Sequence, residues 1–287
     1  KLGFRISAWH GRDGGYVDHV ENASGAITSR NTNSSDVTVI HAALGWQPTP
    51  ELSITPSVHF QRRVQNDSGI FWPGISDPGK GIFKIGTPEL QHMPDRFWLP
   101  SLKIEYDLGG AKLISNTSWF RRDNLSGYDA TVLNLTFYQS LLPAGSPWYP
   151  LLTSTGINKA LPFYAAQGLV TNKQRNFTQE VRLQSSNPNA RVNWTVGFFY
   201  QVNRQRSEEH LRDPMANDIF PLLFGTSIED YFGAPLYQGI DSYTNQTHGR
   251  DSQIAGYFDI GWRITDTLKI NGGLRYARTR FSFSNFA

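Results

Sequence analysis

The sequence predicts an all-β fold, an antiparallel sheet that forms part of the wall of a transmembrane β-barrel. Two observations carry this prediction. Apolar and polar residues alternate with a period of two in about nine segments, each long enough to cross a bilayer as a tilted strand. The connections between those segments alternate between tight turns and long loops, as they do in outer-membrane barrels.

The first predicted strand lies near Leu2–Arg12. Four predicted hairpins follow: residues 37–47 with 52–64, 97–108 with 111–122, 177–185 with 192–206, and 253–263 with 268–283. Alternation is clean where Leu52, Ile54, Val58 and Phe60 interleave with Ser53, Thr55, Ser57 and His59, and again along Trp194, Val196, Phe198, Tyr200 and Val202. It is noisier at Lys112 to Arg122, which fits either phase, and at Gln179, which interrupts the apolar set Phe177, Val181 and Leu183.

Each hairpin closes through turn-forming residues: Pro48-Thr49-Pro50-Glu51, Gly109-Gly110, Ser186-Asn187-Pro188-Asn189-Ala190, and Ile264-Thr265-Asp266-Thr267. Between hairpins the predicted loops run from Asp13 to Asp36, Gln65 to Arg96, Asp123 to Asn176, and Ser207 to Ser252. Connections of that length are uncommon in compact soluble domains. The rhythm sets orientation: tight turns toward the periplasm, long loops extracellular.

A strand in lipid satisfies its backbone only through neighbouring strands, so its lipid-facing side chains are apolar and its lumen side is free to be polar. Lys103, Glu105, Glu180, Arg182, Asp259, Arg263, Lys269 and Arg275 fall in the polar sets. Trp46, Trp119, Trp194, Trp262, Tyr106 and Tyr276 are expected near strand ends, as an aromatic girdle. A soluble antiparallel sandwich or propeller also alternates. Strand length, the short and long rhythm, and the absence of a blade-length repeat argue against it.

Composition agrees. Charged residues make up 18% of the chain, below the roughly 25% of soluble domains, while aromatics reach 13%. Net charge is +3 with no block of like charges, so nucleic acid is not an expected partner. Cysteine is absent, which excludes disulfides and thiolate metal sites. No apolar run is long enough for a transmembrane helix. The chain opens at Lys1-Leu2-Gly3-Phe4 inside an alternating segment, so an internal piece of a longer polypeptide, or a mature chain without its flanks, is expected. Hydrolase, zinc-protease and phosphate-binding motifs are absent and the seven His are scattered, so neither enzyme activity nor a cofactor or metal is implied.

Three segments resemble the barrel strands of TonB-dependent receptors of the bacterial outer membrane. They are Asn176-Phe177-Thr178-Gln179-Glu180-Val181-Arg182-Leu183-Gln184-Ser185, the hairpin from Ile264 to Tyr276, and the opening Leu2 to His10 with Asp13-Gly14-Gly15-Tyr16-Val17-Asp18. Their order and spacing fit that family across nearly the whole chain. The resemblance implies a 22-stranded barrel filled by an N-terminal plug, of which residues 1–287 supply about nine strands of a single barrel domain. The plug, the TonB-contacting box and the remaining strands would lie outside this chain. Implied partners are outer-membrane lipid and lipopolysaccharide, the protein's own plug, the TonB complex through regions outside the chain, and a small nutrient.

The resemblance implies active uptake of a scarce nutrient: a ferric siderophore, cobalamin, a glycan or an aromatic compound. The alternatives are a passive porin-like channel, which lacks a plug, and a soluble all-β binding module, which stays in solution without detergent. Ligand contacts are expected in the two aromatic-rich loops, at Tyr138, Trp148, Tyr149, Tyr164, Tyr231, Phe232 and Tyr237, because rings give large contact area at small entropic cost. The competing reading is that such rings pack the loops together. Basic loop or lumen residues (Arg62, Arg63, Arg121, Arg122, Arg204 and Arg206) suit either an anionic ligand or pairing with carboxylates or lipopolysaccharide phosphates. Glu208, Glu209, His210 and Asp213 are weighed as a calcium site against a solvated charged loop, which the missing Asp/Asn-plus-Gly frame favours.

Overall fold

A computed structural model describes residues 1–21, 24–152, 158, 160–187 and 189–286. In chain order the strands and helices are β1 (Leu2–Asp13), β2 (Val17–Val20), β3 (Ile27–Ser29), β4 (Ser35–Trp46), β5 (Leu52–Gln65), β6 (Phe83–Ile85), β7 (Met93–Asp107) and β8 (Ala111–Asp129). There follow α1 (Thr131–Leu141), β9 (Gln167–Ser185), β10 (Val192–Arg212), α2 (Ala216–Phe224), α3 (Ile228–Phe232), β11 (Asp241–Arg263) and β12 (Lys269–Phe286). Nine long strands form one antiparallel sheet in the order β1-β4-β5-β7-β8-β9-β10-β11-β12, so every long strand pairs with the next one in sequence.

Register fixes which residues share a face, because directly opposed residues point the same way. One such row runs Ile54, Ile104, Ser115, Val181, Phe198, Gly256 and Tyr276 from β5 to β12. The apolar residues that alternate along Leu52 to Phe60 on β5 and Trp194 to Val202 on β10 fall on this apolar face, whereas Trp9, Val37, Val39 and Phe281 fall on the other. Phe198 and Phe258, on β10 and β11, keep 44% and 42% of their surface exposed. A dry core between stacked sheets would bring both near zero. The eight charged residues from Lys103 to Arg275 predicted for the lumen all fall on the opposite, polar face.

Gln179, the interruption in the apolar pattern, is accommodated on the apolar face by its neighbours. Its Oε1 accepts from Thr117 Oγ1 at 2.5 Å and its Nε2 donates to Ser115 Oγ at 2.9 Å. A polar side chain facing hydrocarbon is tolerable when its hydrogen bonds are made internally. Rings cluster toward both ends of the band: Trp46, Tyr106, Trp194 and Trp262 near the turns, and Phe60–Trp98 (4.3 Å) with Trp119–Phe177 (5.4 Å) toward the loops. Tyr276 departs from the expected girdle. It sits mid-band opposite Gly256, where its ring covers a position that has no side chain.

The four tight turns lie at one end of the sheet. Gly109 adopts φ +84°, and its N–H donates to Asp107 Oδ1 at 2.9 Å, a left-handed position that glycine fills without strain. In the turn from Ser186 to Ala190, Pro188 lies outside the described residues.

At the other end the strands run further than expected. The predicted loops 123–176 and 207–252 shrink to 130–166 and 213–240, because β8, β9, β10 and β11 continue as paired strands. Beyond hydrocarbon nothing selects alternate apolar residues, so segments such as Thr171-Asn172-Lys173-Gln174-Arg175 lose the pattern while keeping the hydrogen-bond ladder. The first two loops fold into a small sheet ordered β3-β2-β6. Beside it the buried His19 meets Asp67 at 2.5 Å, and Thr32 Oγ1 donates to the same carboxylate at 3.0 Å. Burial raises the Asp67 pKa, but the hydrogen bonds from His19, the Ser68 N–H and Thr32 outweigh it and hold the carboxyl below its ordinary value.

Candidate functional site: an aromatic cleft under the loops

The extensions of β8, β10 and β11 carry Tyr128, Glu209, Leu211 and Tyr243 on the polar face. Tyr128 donates to Glu209 at 2.8 Å, which joins two strands that are not adjacent in the sheet. Burial, followed by the Glu209 carboxylate, raises the Tyr128 pKa, so the phenol stays a proton donor.

Over this floor the third and fourth loops fold as helices. α1 begins where Asp129 Oδ1 accepts the Thr131 N–H at 3.0 Å, and burial pushes the Asp129 carboxyl up to about 6. Its buried stripe is Leu135 and Tyr138, three residues apart, while Leu133 and Phe137 stay half-exposed on the neighbouring face. α3 is capped by Ser227, whose Oγ accepts the Asp230 N–H at 3.0 Å, and it ends at Gly233 with φ +77°. Leu135, Leu161, Ile219 and Phe220 bind α1, α2 and the 160–166 segment into a small core on Leu211.

Asp213 is the polar centre of that core, with no exposed surface. It accepts hydrogen bonds from Tyr138 Oη (2.6 Å), Tyr164 Oη (2.5 Å) and Asn134 Nδ2 (2.9 Å). Burial raises its pKa, and the three donors offset part of that rise. The same burial and the adjacent carboxylate push both tyrosines up, so they remain hydroxyl donors. One carboxylate at the end of β10 thus pins two parts of the third loop.

Between loops and floor lies a cleft of about 700 Å³ lined by Tyr128, Phe137, Tyr138, Glu209, Phe232, Tyr237 and Tyr243 with neighbouring residues. Phe137 and Phe232 form a near-parallel pair, centroids 6.2 Å apart and planes at 19°. Flat apolar faces beside Glu209, Asn134, Ser242 and Thr244 suit a ligand with ring faces and a polar edge. Two further hollows lie on the polar face below the loops, one around Lys103, Asn116 and Glu180, the other nearer the turns around Asp259, Lys269 and Asn271.

Of the residues singled out from the sequence, Phe232, Tyr237 and the edge of Tyr138 line this cleft. Tyr164 lies in the loop core with its hydroxyl on Asp213. Tyr231 packs on Phe220 (5.2 Å) and Phe224 (5.6 Å), Trp148 is half-buried against the same core, and Tyr149 is 64% exposed outside the cleft. Sequence reading passed over Tyr128 and Glu209 as cleft residues. Continuing the β10 alternation beyond Arg206 would have placed Glu209 and Leu211 on the polar face.

The acidic cluster disperses. Glu208 takes Gln246 and Arg206, Glu209 takes Tyr128, His210 takes Asp241, and Asp213 takes the tyrosines. The hydrogen bond from Gln246 and the Arg206 charge hold Glu208 below its ordinary pKa. Among the described residues no group of three His, Asp or Glu is placed to hold a metal. Of the six arginines expected in loops or lumen, Arg63 and Arg122 are on the polar face, Arg122 paired with Asp95 at 2.6 Å. Arg62, Arg121, Arg204 and Arg206 share the face of the apolar rows instead, because the strands continue through them with unchanged parity.

Solved structures were compared with this arrangement. The ferric yersiniabactin uptake receptor FyuA from Yersinia pestis superposes with a TM-score of 0.67 at 13% identity, over 99% of this chain and 35% of its own. FpvA from Pseudomonas aeruginosa, solved with bound pyoverdine, gives 0.60 at 11% identity over 99% and 34%. The open form of the ferric-catecholate import receptor Fiu from Escherichia coli gives 0.56 at 11% identity over 98% and 41%. The fold is that of a TonB-dependent receptor barrel. The nine long strands of this chain form one sheet of that fold, and the chain spans about a third of the length of the receptors it matches. No family model and no curated protein matches the sequence.

Proposed function

We propose that this chain is the ligand-facing part of the barrel of an outer-membrane receptor that imports a scarce nutrient with energy supplied through TonB. The carrying observation is the loop-covered aromatic cleft on the polar face, at the end of the sheet opposite the tight turns. A roof of helices pinned by a buried carboxylate over an aromatic cleft fits capture of a ligand better than an open diffusion path. Rings at Phe137, Phe232 and Tyr237 favour a ligand with flat faces, such as an aryl-bearing ferric chelate, a glycan or an aromatic acid, within the broader set that includes cobalamin. Phe232, Tyr237 and Tyr138 are the contact residues supported by position; Tyr164 and Tyr231 hold the loops that present them.

The test is binding by the purified full-length protein across a panel of ferric siderophores, cobalamin, oligosaccharides and aromatic acids, followed by uptake in cells with and without TonB. One panel class binds, F232A/Y237A weakens it about tenfold or more through lost ring contact, and uptake stops without TonB. Uptake that persists without TonB supports a passive channel and removes the receptor reading.

A further inference from the structure

The aromatic cleft is one-sided in charge. Two charged side chains line it, Glu209 and Asp241, and both are acids; Lys, Arg and His are absent from its described lining. Asp241 is already met, with its Oδ2 2.8 Å from His210 Nδ1 and its Oδ1 3.9 Å from Arg212 Nε. Glu209 is met by no cation. One of its oxygens accepts the Tyr128 hydroxyl, and Oε2 takes no hydrogen bond from the described residues. Tyr128 reaches it by lying across Gly168 of β9, where a Cβ would fall 2.0 Å from the ring, so this contact holds the carboxylate on the floor without neutralising it.

Acceptors outnumber free donors around that carboxylate. Directly opposite it on β11, Asn245 holds a buried Oδ1 that has no donor among the described residues. Tyr138 and Asn134 spend their donors on Asp213, and Ser242 spends its hydroxyl on the Leu211 carbonyl. The rings act in the same sense. Phe137, Phe232, Tyr237 and Tyr243 keep 43–56% of their surface exposed. An aromatic face carries negative potential and attracts a cation, most strongly where water is excluded. An anion would meet those faces and the Glu209 carboxylate with no basic group beside them. The polar face below adds none. Across β9–β11, from the level of Glu209 down to that of Asn203, the one charged residue on this face among the described residues is another acid, Asp251. On neighbouring β8, Arg122 is paired with Asp95 at 2.6 Å.

We infer that the cleft takes a flat organic cation, its ring against the loop aromatics and its positively charged or N–H-bearing edge on Glu209. The inference rests on the reading of this cleft as the nutrient site and narrows it, because anionic aryl ligands are then poor occupants.

The test is isothermal titration of the full-length protein in phosphatidylcholine nanodiscs at pH 7.5, with empty nanodiscs as the blank. Three probes of similar shape are compared: N-methylquinolinium, uncharged quinoline and anionic naphthoate. The cation should bind about tenfold or more tighter than quinoline, with naphthoate the weakest. E209Q should cost the cation about tenfold and leave quinoline within about twofold. Quinoline or naphthoate binding as tightly as the cation overturns the inference. So does a cation that fails to bind, or one that binds undiminished to a folded E209Q variant. If E209Q does not fold, the wild-type ranking decides alone. The two readings fail separately. An anionic siderophore or aromatic acid that binds and is lost in F232A/Y237A removes this inference and leaves the receptor reading standing. Uptake without TonB removes the receptor reading and leaves the charge preference to the ranking of the three probes.

Discussion

Replacing Asp213 tests whether the loop roof is held as its geometry implies. Asp213→Leu keeps the same number of side-chain heavy atoms and the branching at Cγ but removes the acceptor shared by Tyr138 and Tyr164, which are 3% and 1% exposed. A buried donor left without a partner costs about 1–3 kcal/mol, so two stranded hydroxyls give about 2–6 kcal/mol. Asn134 retains its 3.1 Å contact with Tyr164 Oη and adds little. The carboxyl's raised pKa shows that burying it was itself unfavourable, which brings the expected loss to about 2–4 kcal/mol. Asp213→Asn keeps one carbonyl acceptor and should cost about half as much. Hydrogen exchange on the full-length protein reads this locally. Amides of α1 should exchange roughly 30- to 1000-fold faster in the Leu variant, at a factor of ten per about 1.4 kcal/mol, while β10 between Val192 and Val202 is unchanged. Adding Y138F and Y164F to the Leu variant removes the stranded hydroxyls and should restore part of the protection. Protection of α1 within twofold of wild type in the Leu variant would refute the pinning role.

Two further outcomes follow from the wall and the loop anchor. Val196→Arg places a cation near mid-height on the apolar face and should destabilise the protein in bilayers by about 2–4 kcal/mol, whereas Thr195→Arg, one residue away on the polar face, should cost under about 1 kcal/mol. Equal losses in urea titration of the two variants contradict the facial assignment. Asp129 is an acid whose folded pKa is raised to about 6, so between the ordinary carboxylate range and pH 6 the folded loop binds more protons than the open one. Its anchor should therefore be about 1 kcal/mol more stable at pH 5 than at pH 7.5, with Asp213 acting in the same direction. Protection factors for residues 130–141, corrected for intrinsic rate, should rise on acidification; a fall has the wrong sign.

The wall was legible because hydrocarbon enforces a rule on every second residue. Where the rule held, as in Leu52 to Phe60 and Trp194 to Val202, strand, face and partner all came from the sequence pattern. Above the band the rule lapses, and strands extending to Asp129 and Arg212 looked like loops. The cleft was less legible because its contacts are remote: Tyr128 and Glu209 lie 81 positions apart, and Asp213 meets Tyr138 across 75. Aromatic richness marked the correct loops without separating Phe232, which faces the cleft, from Tyr231, which faces the loop core.

The most direct measurement follows the two faces of one strand. The chain has no cysteine, so single cysteines from Val192 to Arg206 of β10 can be spin-labelled in bilayers without background from this segment. Collisions with oxygen and with a water-soluble nickel chelate are then measured at each site. Positions 194, 196, 198, 200 and 202 should be rich in oxygen and poor in nickel, with nickel access rising at Arg204 and the odd positions out of phase. Even positions shielded from both reagents, or no two-residue period, would mean that no hydrocarbon touches this face.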